Sequence, residues 1–423
     1  MSLRLSQMAE RLIGSEIIRL GNEISRRIRA GERIFNLTIG DFDPKVFPIP
    51  PELRDLIIRY YHAGHTNYPP AEGIPELRQS IAQLLRHQLS LPFTEEEIQV
   101  AGGARPLIYT IYQTVVDAGD KVVFPIPSWN NNHYCHLCGA TAVALPTLPE
   151  NNFMPTAAQL APHLKDAVLL ALCSPLNPTG TCFNSDQLRD ICALVLEENR
   201  RRNSSSKPLY LLYDQIYWPL RSEGVEHVHP LAFFPELAPY VIYVDGLSKS
   251  LAATGLRVGW AAGPLHVINR MRAILGHIGA WAPRAEQSAA ADYLSSPHLW
   301  PFIQQMNQAV QLRQRAFYEG LRKLQAQGLP VEVIQPTGGI YLSVRFPVRN
   351  GLTPEGASLD TASHIAEYLL AASAVAVVPF TAFGLPASTD WFRISVGTCR
   401  LEDVDTILFQ LKKGLEGIKL PSH

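Results

Sequence analysis

One lysine in this 423-residue chain has unusual company. Lys249 follows the apolar run 241–244 and sits in Asp245-Gly246-Leu247-Ser248-Lys249-Ser250, with Arg257 eight positions on. A lysine among small residues that faces other cations loses solvation. Its pKa falls from about 10.4 and the amine becomes nucleophilic. A solvated surface charge is the simpler reading for a lysine met alone. Asp214 closes a second apolar run, 209–213, and Tyr217 lies three positions beyond it. A carboxylate buried there is costly unless a cation or a metal meets it.

Three further segments have the composition of ligand loops. Ala101-Gly102-Gly103-Ala104-Arg105-Pro106 follows an extended stretch and opens a helix. Bare N–H groups at such a start bind phosphate, although a tight turn explains two glycines equally well. Pro125-Ile126-Pro127-Ser128-Trp129 is stiffened by two prolines and holds an aromatic ring either over a flat ligand or in the core. Ser174-Pro175-Leu176-Asn177-Pro178-Thr179-Gly180 is a strong turn signal, in which Asn177 either donates to a ligand oxygen or shapes the turn. Cys135-His136-Leu137-Cys138 has metal or redox spacing. A structural zinc site needs a second pair, and Cys173, Cys182, Cys192 and Cys399 do not supply one. The pair reads as reduced thiols on a helix over 130–137, and no metal is expected.

Composition narrows the field. The formal charge is −1 and charged residues make up 18%, below the roughly 25% of soluble domains. Neutral balance offers polyanions no general attraction, which disfavours nucleic acid. A chain 47% hydrophobic has the means to bury a core. No apolar run approaches the ~20 residues of a membrane span. The first twenty residues lack a signal-peptide pattern, and the six cysteines form no disulfide framework. A cytoplasmic protein with no membrane partner is expected. Proline outnumbers glycine, 33 to 28, and is scattered rather than repeated.

The elements that must position these residues follow from periodicity. Ile17, Leu20, Ile24 and Ile28 recur at helical spacing over 15–30, with Gly31 as a C-cap. A strand over 34–39, a proline-rich crossing and helices near 52–62 and 75–90 come next. From residue 98 strands at 98–101, 121–124, 167–173, 209–213 and 241–244 are nearly all apolar, as in parallel strands covered on both faces. Helices at 106–117 and 185–199 fall between them. This alternation predicts an α/β architecture with a mostly parallel sheet, and 200–207 reads as a polar surface loop. Beyond about residue 298 a long helix over 300–325 leads into strands at 331–334, 340–346, 374–378 and 391–395, with helices near 359–371 and 402–417. We read this as a smaller α+β unit. The expected organisation is an N-terminal segment 1–45 packing with the small domain, a large cofactor-binding domain 46–297 and a small domain 298–423. No GxGxxG opens a strand–helix unit, which disfavours a nicotinamide domain.

Taken in order, these segments resemble the class I/II aminotransferase family of fold-type I pyridoxal-phosphate (PLP) enzymes, from about Leu37 to Cys399. The resemblance implies the PLP-dependent transferase fold: a seven-stranded, mostly parallel sheet flanked by helices, with a smaller α+β domain. It implies ping-pong transfer of an amino group from an α-amino acid to an α-keto acid. A PLP-dependent C–S β-lyase on the same scaffold is the alternative, because fold does not fix the reaction. About 35 residues precede the first family motif, too few for the winged helix of DNA-binding relatives. A homodimer with active sites at the subunit interface is the family expectation.

The resemblance also assigns roles. Lys249 corresponds to the Schiff-base lysine that shuttles the Cα proton, and Asp214 to the carboxylate paired with the pyridine nitrogen. Asn177 and Tyr217 would bond the ring's phenolic oxygen, and Trp129 would stack on the ring. Gly103, Ala104, Arg105, Ser248 and Arg257 match the phosphate cradle, and Tyr68 matches a tyrosine that reaches the phosphate across the dimer interface. Arg393, in Trp391-Phe392-Arg393-Ile394-Ser395, would grip the substrate carboxylate in a two-pronged fork, with Gly40 approaching it through its backbone. The chain departs from the family pattern at Gly246, where a hydroxyl residue is common, and at Arg105, where lysine is common. In Pro379-Phe380-Thr381-Ala382-Phe383-Gly384, Phe380 is expected to narrow the substrate pocket. Phe380, Tyr341 and Trp129 suit an aromatic or small neutral donor, and no second arginine for a dicarboxylate stands out.

Overall fold

The computed structural model describes residues 4–202 and 206–420. The strands in chain order are β1 (Phe35–Asn36), β2 (Ile98–Ala101), β3 (Lys121–Ile126), β4 (Thr141–Pro146), β5 (Ala167–Cys173), β6 (Tyr210–Asp214), β7 (Val241–Gly246), β8 (Gly259–Ala262), β9 (Glu332–Val333), β10 (Tyr341–Arg345), β11 (Val375–Ala376), β12 (Val378–Pro379) and β13 (Trp391–Ser395). A seven-stranded sheet has the order β2-β8-β7-β6-β5-β3-β4. Only β8 runs against its neighbours. The carboxyl ends of β2, β3, β5, β6 and β7 therefore share one edge, and the start of β8 joins them there. That geometry gathers loops far apart in sequence at one crevice.

Burial explains the strand composition. Every residue of β2, β7 and β8 is buried, and Leu169, Leu170, Leu211, Leu212, Ile242 and Val244 pack between covering helices. The sequence reading missed β4 and β8. β4 is a sheet edge whose Thr141, Ala142, Ala144 and Pro146 are exposed, so it lacks the solid apolar run that marked its neighbours. β8 is four residues long and begins with glycine, which suppresses the signal. The helices Leu265–Ile278 and Arg284–Leu294 were also missed. The helix after β2 is Ala104–Val115, starting two residues before the expected 106. The segment expected as a strand over 34–39 shrinks to the two-residue β1, paired in parallel with β11.

A second apolar cluster surrounds the four-stranded sheet β12-β13-β10-β9 and the long helix Leu299–Ala326. It draws in Leu37, Phe42 and Phe47 from the N-terminal crossing and Ile216, Tyr217 and Leu220 from the loop after β6. Ile28, expected on the packed face of the first long helix, is exposed, whereas Ile24 is wholly buried. The expected surface loop at 200–207 begins differently, and its residues 203–205 lie outside the described set. The helix Ser185–Arg201 covers its start. Arg202 then turns inward and donates to the carbonyls of Leu164, Lys165 and Ala167.

The loop after β5 is stitched to the second sheet. Thr337 and Gly338 donate their N–H groups to the Gly180 carbonyl at 2.8 and 3.1 Å, and Ser343 Oγ donates to the Thr179 carbonyl at 2.9 Å. The peptide bonds before Pro127, Pro175 and Pro178 are cis. Gly180 has φ of +71°, and a Cβ there would overlap the Tyr341 backbone carbonyl. Neither the backbone angle nor the opposing main chain yields easily. Gly180→Ala is therefore expected to cost about 1–3 kcal/mol of stability, read as a lower urea midpoint with unchanged slope. An unchanged midpoint would show that the two segments do not meet this closely.

Candidate active site

The loops at the shared sheet edge enclose a cavity of about 670 Å³. Its walls include Gly40, Ala104, Arg105, Trp129, Asn177, Asp214, Tyr217, Ser248, Lys249, Arg257 and Arg393. The chain thus brings eleven of the thirteen expected site residues into one space. Gly103 lies just behind the wall: a Cβ there would overlap the Arg257 guanidinium. Tyr68 does not join them. It is 81% exposed, and its ring meets the edge of Trp281 at 5.1 Å.

Lys249 stands on a single helical turn, Leu247–Ser250, directly after β7. Its Nζ donates to the Gly40 carbonyl at 2.7 Å. Burial pushes its pKa down to about 8; Asp41 opposes that fall, and Arg393, Arg105 and Arg257 reinforce it. Desolvation and three cations together outweigh one carboxylate. Gly40 therefore holds the lysine through its carbonyl, a role the sequence reading did not give it.

Asp214 ends β6, half-buried and without an ion-pair partner among the described residues. Burial raises its pKa to about 6, against the lowering effect of the Ile216 N–H that donates to Oδ1 at 3.0 Å. Such a carboxylate lacks a cation. A cationic group on a bound ligand would meet it.

At the start of the helix Ala104–Val115, Gly103 occupies the N-cap with φ of +96° and no side chain caps the first turn. Ala104 and Arg105 of that first turn line the cavity together with Arg257. The Arg257 guanidinium is held by the carbonyls of Thr254 at 2.7 Å and Gly102 at 2.8 Å. A cationic, cap-free helix start whose glycine a Cβ would fill suits a phosphate. Arg105 stacks on the Trp129 ring, with Cζ 5.0 Å from the centroid. Among the described residues no carboxylate pairs with it.

Arg393 is 1% exposed. Nη1 donates to Asn177 Oδ1 at 3.0 Å and Nη2 to the Thr38 carbonyl at 2.6 Å, while Nε is buried without a partner. Each Nη keeps a second N–H, so the fork still has donors for a carboxylate. With Oδ1 committed to Arg393, the Asn177 amide retains its two N–H donors.

The expected narrowing by Phe380 is corrected. Phe380 is fully buried against Phe153 and Phe383, at 5.4 and 6.0 Å between ring centroids, and does not line the cavity. Phe383, one 3-10 turn later, places its ring 5.0 Å from Arg393 Cζ. Both thiols of the cysteine pair are free, and burial pushes Cys135 up to about 12 and raises Cys138, which disfavours the thiolate.

Sequence reasoning missed several residues. Asp41 lines the cavity and accepts from Thr254 Oγ1 at 2.7 Å, so Asp214 is not the sole acid here. Tyr341 was named only for the donor pocket; its Oη lies 2.7 Å from Tyr217 Oη, a pairing the sequence did not show. Ile17, Gly21, Asn22 and Ser25 of the helix Glu16–Arg29 form part of the wall. The helix was legible from its spacing, but its placement over the cavity was not.

Comparison with known proteins agrees with this geometry. The model of the family "Aminotransferase class I and II" matches residues 32–411. Aspartate aminotransferase of Bacillus sp. (strain YM-2) is 31% identical over 372 residues, covering 87% of this chain and 88% of the relative. The crystal structure of the aspartate aminotransferase from Rhizobium meliloti superposes with a TM-score of 0.90 at 25% identity, covering 99% of this chain and all of that one. The Thermus thermophilus aspartate aminotransferase with maleate gives 0.86 at 27% identity, over 98% of this chain and 100% of that one. The chain belongs to the class I and II aminotransferases and, with them, is a pyridoxal-phosphate-dependent enzyme that transfers amino groups.

Proposed function

We propose that Lys249 carries the pyridoxal phosphate and that amino transfer from an α-amino acid to an α-keto acid runs through its amine. The observation that carries this reading is Lys249, half-buried in one cavity with Arg105, Arg257 and Arg393, where burial lowers its pKa to about 8. Arg257 and the open start of the helix Ala104–Val115 would take the phosphate, with Ser248 and Arg105 beside them. Trp129 would lie against the ring, and Asn177 and Tyr217 would donate to its phenolic oxygen. The bound group supplies an electron sink for the bond broken at Cα. Asp214 would accept from the ring nitrogen and favour a proton there. Arg393 fixes the α-carboxylate with two N–H groups, which aims the Cα proton at Lys249 Nζ. Lys249 Nζ would be the base that takes up and holds that proton, a role that requires its amine to be neutral.

We further infer a homodimer in the cytoplasm. What supports the dimer is Tyr68, exposed and outside its own chain's cavity, where it is free to meet a partner's phosphate. What supports the compartment is that all six cysteines are free. The relatives' names make aspartate one donor to test, beside aromatic and small neutral amino acids.

Three outcomes test the reading. Amino acid added alone should bleach the visible cofactor band, and a keto acid should restore it; pyruvate and ammonia from a cysteine conjugate, without cycling, would instead indicate a lyase. Arg393→Lys should raise KM for the amino donor about 10–100-fold while sparing kcat more, since the charge remains but the two-pronged bond is lost. Equal KM values would remove Arg393 from the carboxylate site. In the cofactor-free chain, acylation of Lys249 should rise with pH through a midpoint near 8, because only the neutral amine reacts. A midpoint near the ordinary ~10.4 would contradict a desolvated lysine.

A further inference from the structure

We propose that Tyr341 is a positioning residue that couples the carboxylate site at Arg393 to the cofactor-facing hydroxyl of Tyr217. The inference rests on the assignment of this cavity to pyridoxal phosphate. Tyr341 and Tyr217 are both buried, at 1% and 3% exposure, and their hydroxyl oxygens are 2.7 Å apart. Among the described residues neither hydroxyl bonds another side chain. Arg393 Cζ lies 4.6 Å from the Tyr341 ring centroid. The sheet enforces this stacking: Tyr341 pairs with Ser395 and Ser343 with Arg393 across β10 and β13. Tyr341 and Arg393 are therefore diagonal neighbours on one face. A Cβ on Gly40 would come within 2.6 Å of Tyr341 Oη, so the hydroxyl is also packed against the residue that holds Lys249.

Proton counting fixes the direction of the chain. A tyrosine hydroxyl has one proton. If Tyr217 gives its proton to the ligand's oxygen, its own oxygen is left to accept, and Tyr341 is the donor in reach. The order is then Tyr341 to Tyr217 to ligand oxygen, each bond strengthening the next. Burial raises the pKa of both tyrosines, and Arg393 is the cation that opposes it. An Arg393 charge over the Tyr341 ring thus favours donation down the chain. A carboxylate seated on Arg393 offsets that charge, weakens the chain, and lets the lysine–cofactor linkage hold its proton more tightly. The other charged groups facing the linkage, Lys249 itself, Asp41, Asp214, Arg105 and Arg257, line the same cavity but bond neither hydroxyl.

The test is a pH titration of the visible band of the holoenzyme, with and without a non-reacting carboxylate, maleate and 3-phenylpropionate in parallel. In the wild-type chain the carboxylate that binds should raise the midpoint. Tyr341→Phe should raise the carboxylate-free midpoint by about half a pH unit, roughly threefold in proton affinity, and cut the carboxylate-induced rise by about half. Tyr217→Phe should cut that rise as far, and adding Tyr341→Phe to it should change little further. A full carboxylate-induced rise in either single variant, or an undiminished Tyr341→Phe effect in the Tyr217→Phe background, overturns the proposal. A wild-type chain that binds PLP without any pH-dependent visible band overturns the cofactor assignment instead, so the two failures are distinguishable.

Discussion

The burial of one amine governs this molecule's active site. Lys249 gives up much of its solvent and stands among Arg105, Arg257 and Arg393, and Asp41 counters them. In isolation that arrangement is unfavourable, since buried like charges repel and lose hydration. On the proposed reading, a phosphate and a carboxylate would neutralise the arginines and offset that cost. The near-zero net charge of the chain is therefore an average over a polarised site. The fold gathers four cations around one cavity by drawing them from the turn after β7, from the residues just before β8, from the helix after β2 and from β13 of the second sheet.

The doubly wound sheet supplies that convergence cheaply, because parallel strands end together. β8 is the exception that completes it. Running against its neighbours, it brings its amino end to the same edge, which places Arg257 beside Gly103. The second sheet contributes Arg393 and Tyr341 from adjacent strands, and the loop 174–180 ties the two sheets across the cavity through Gly180 and Thr179. Of the prolines near this cavity, Pro106 lies in the first turn of the helix Ala104–Val115, Pro125 in β3, and Pro127 and Pro178 in the loops after β3 and β5.

What was legible in the sequence was what a short segment determines. Lys249, Asp214 and Trp129 each follow a buried strand, and an apolar run followed by an unusual polar residue survives as a pattern. Asp41 and Tyr341 carry no such signature. Asp41 matters because Thr254, more than two hundred residues away, holds it near the lysine; Tyr341 sits in an ordinary buried strand and gains its meaning from Arg393 across the ladder. Phe380 was misassigned for a similar reason, since a single 3-10 turn decides which of two phenylalanines meets the arginine. Residues whose roles arise from tertiary contact are invisible to spacing, whereas residues set by strand termini are not.

The central claim is that this particular lysine forms the covalent link to the cofactor. Borohydride reduction of the holoenzyme followed by peptide mapping by mass spectrometry addresses it directly. The account predicts one reduced pyridoxyl adduct per chain, carried by the peptide containing Lys249 and lost in Lys249→Ala. A stoichiometric adduct on any other lysine, or full trapping in Lys249→Ala, would contradict it.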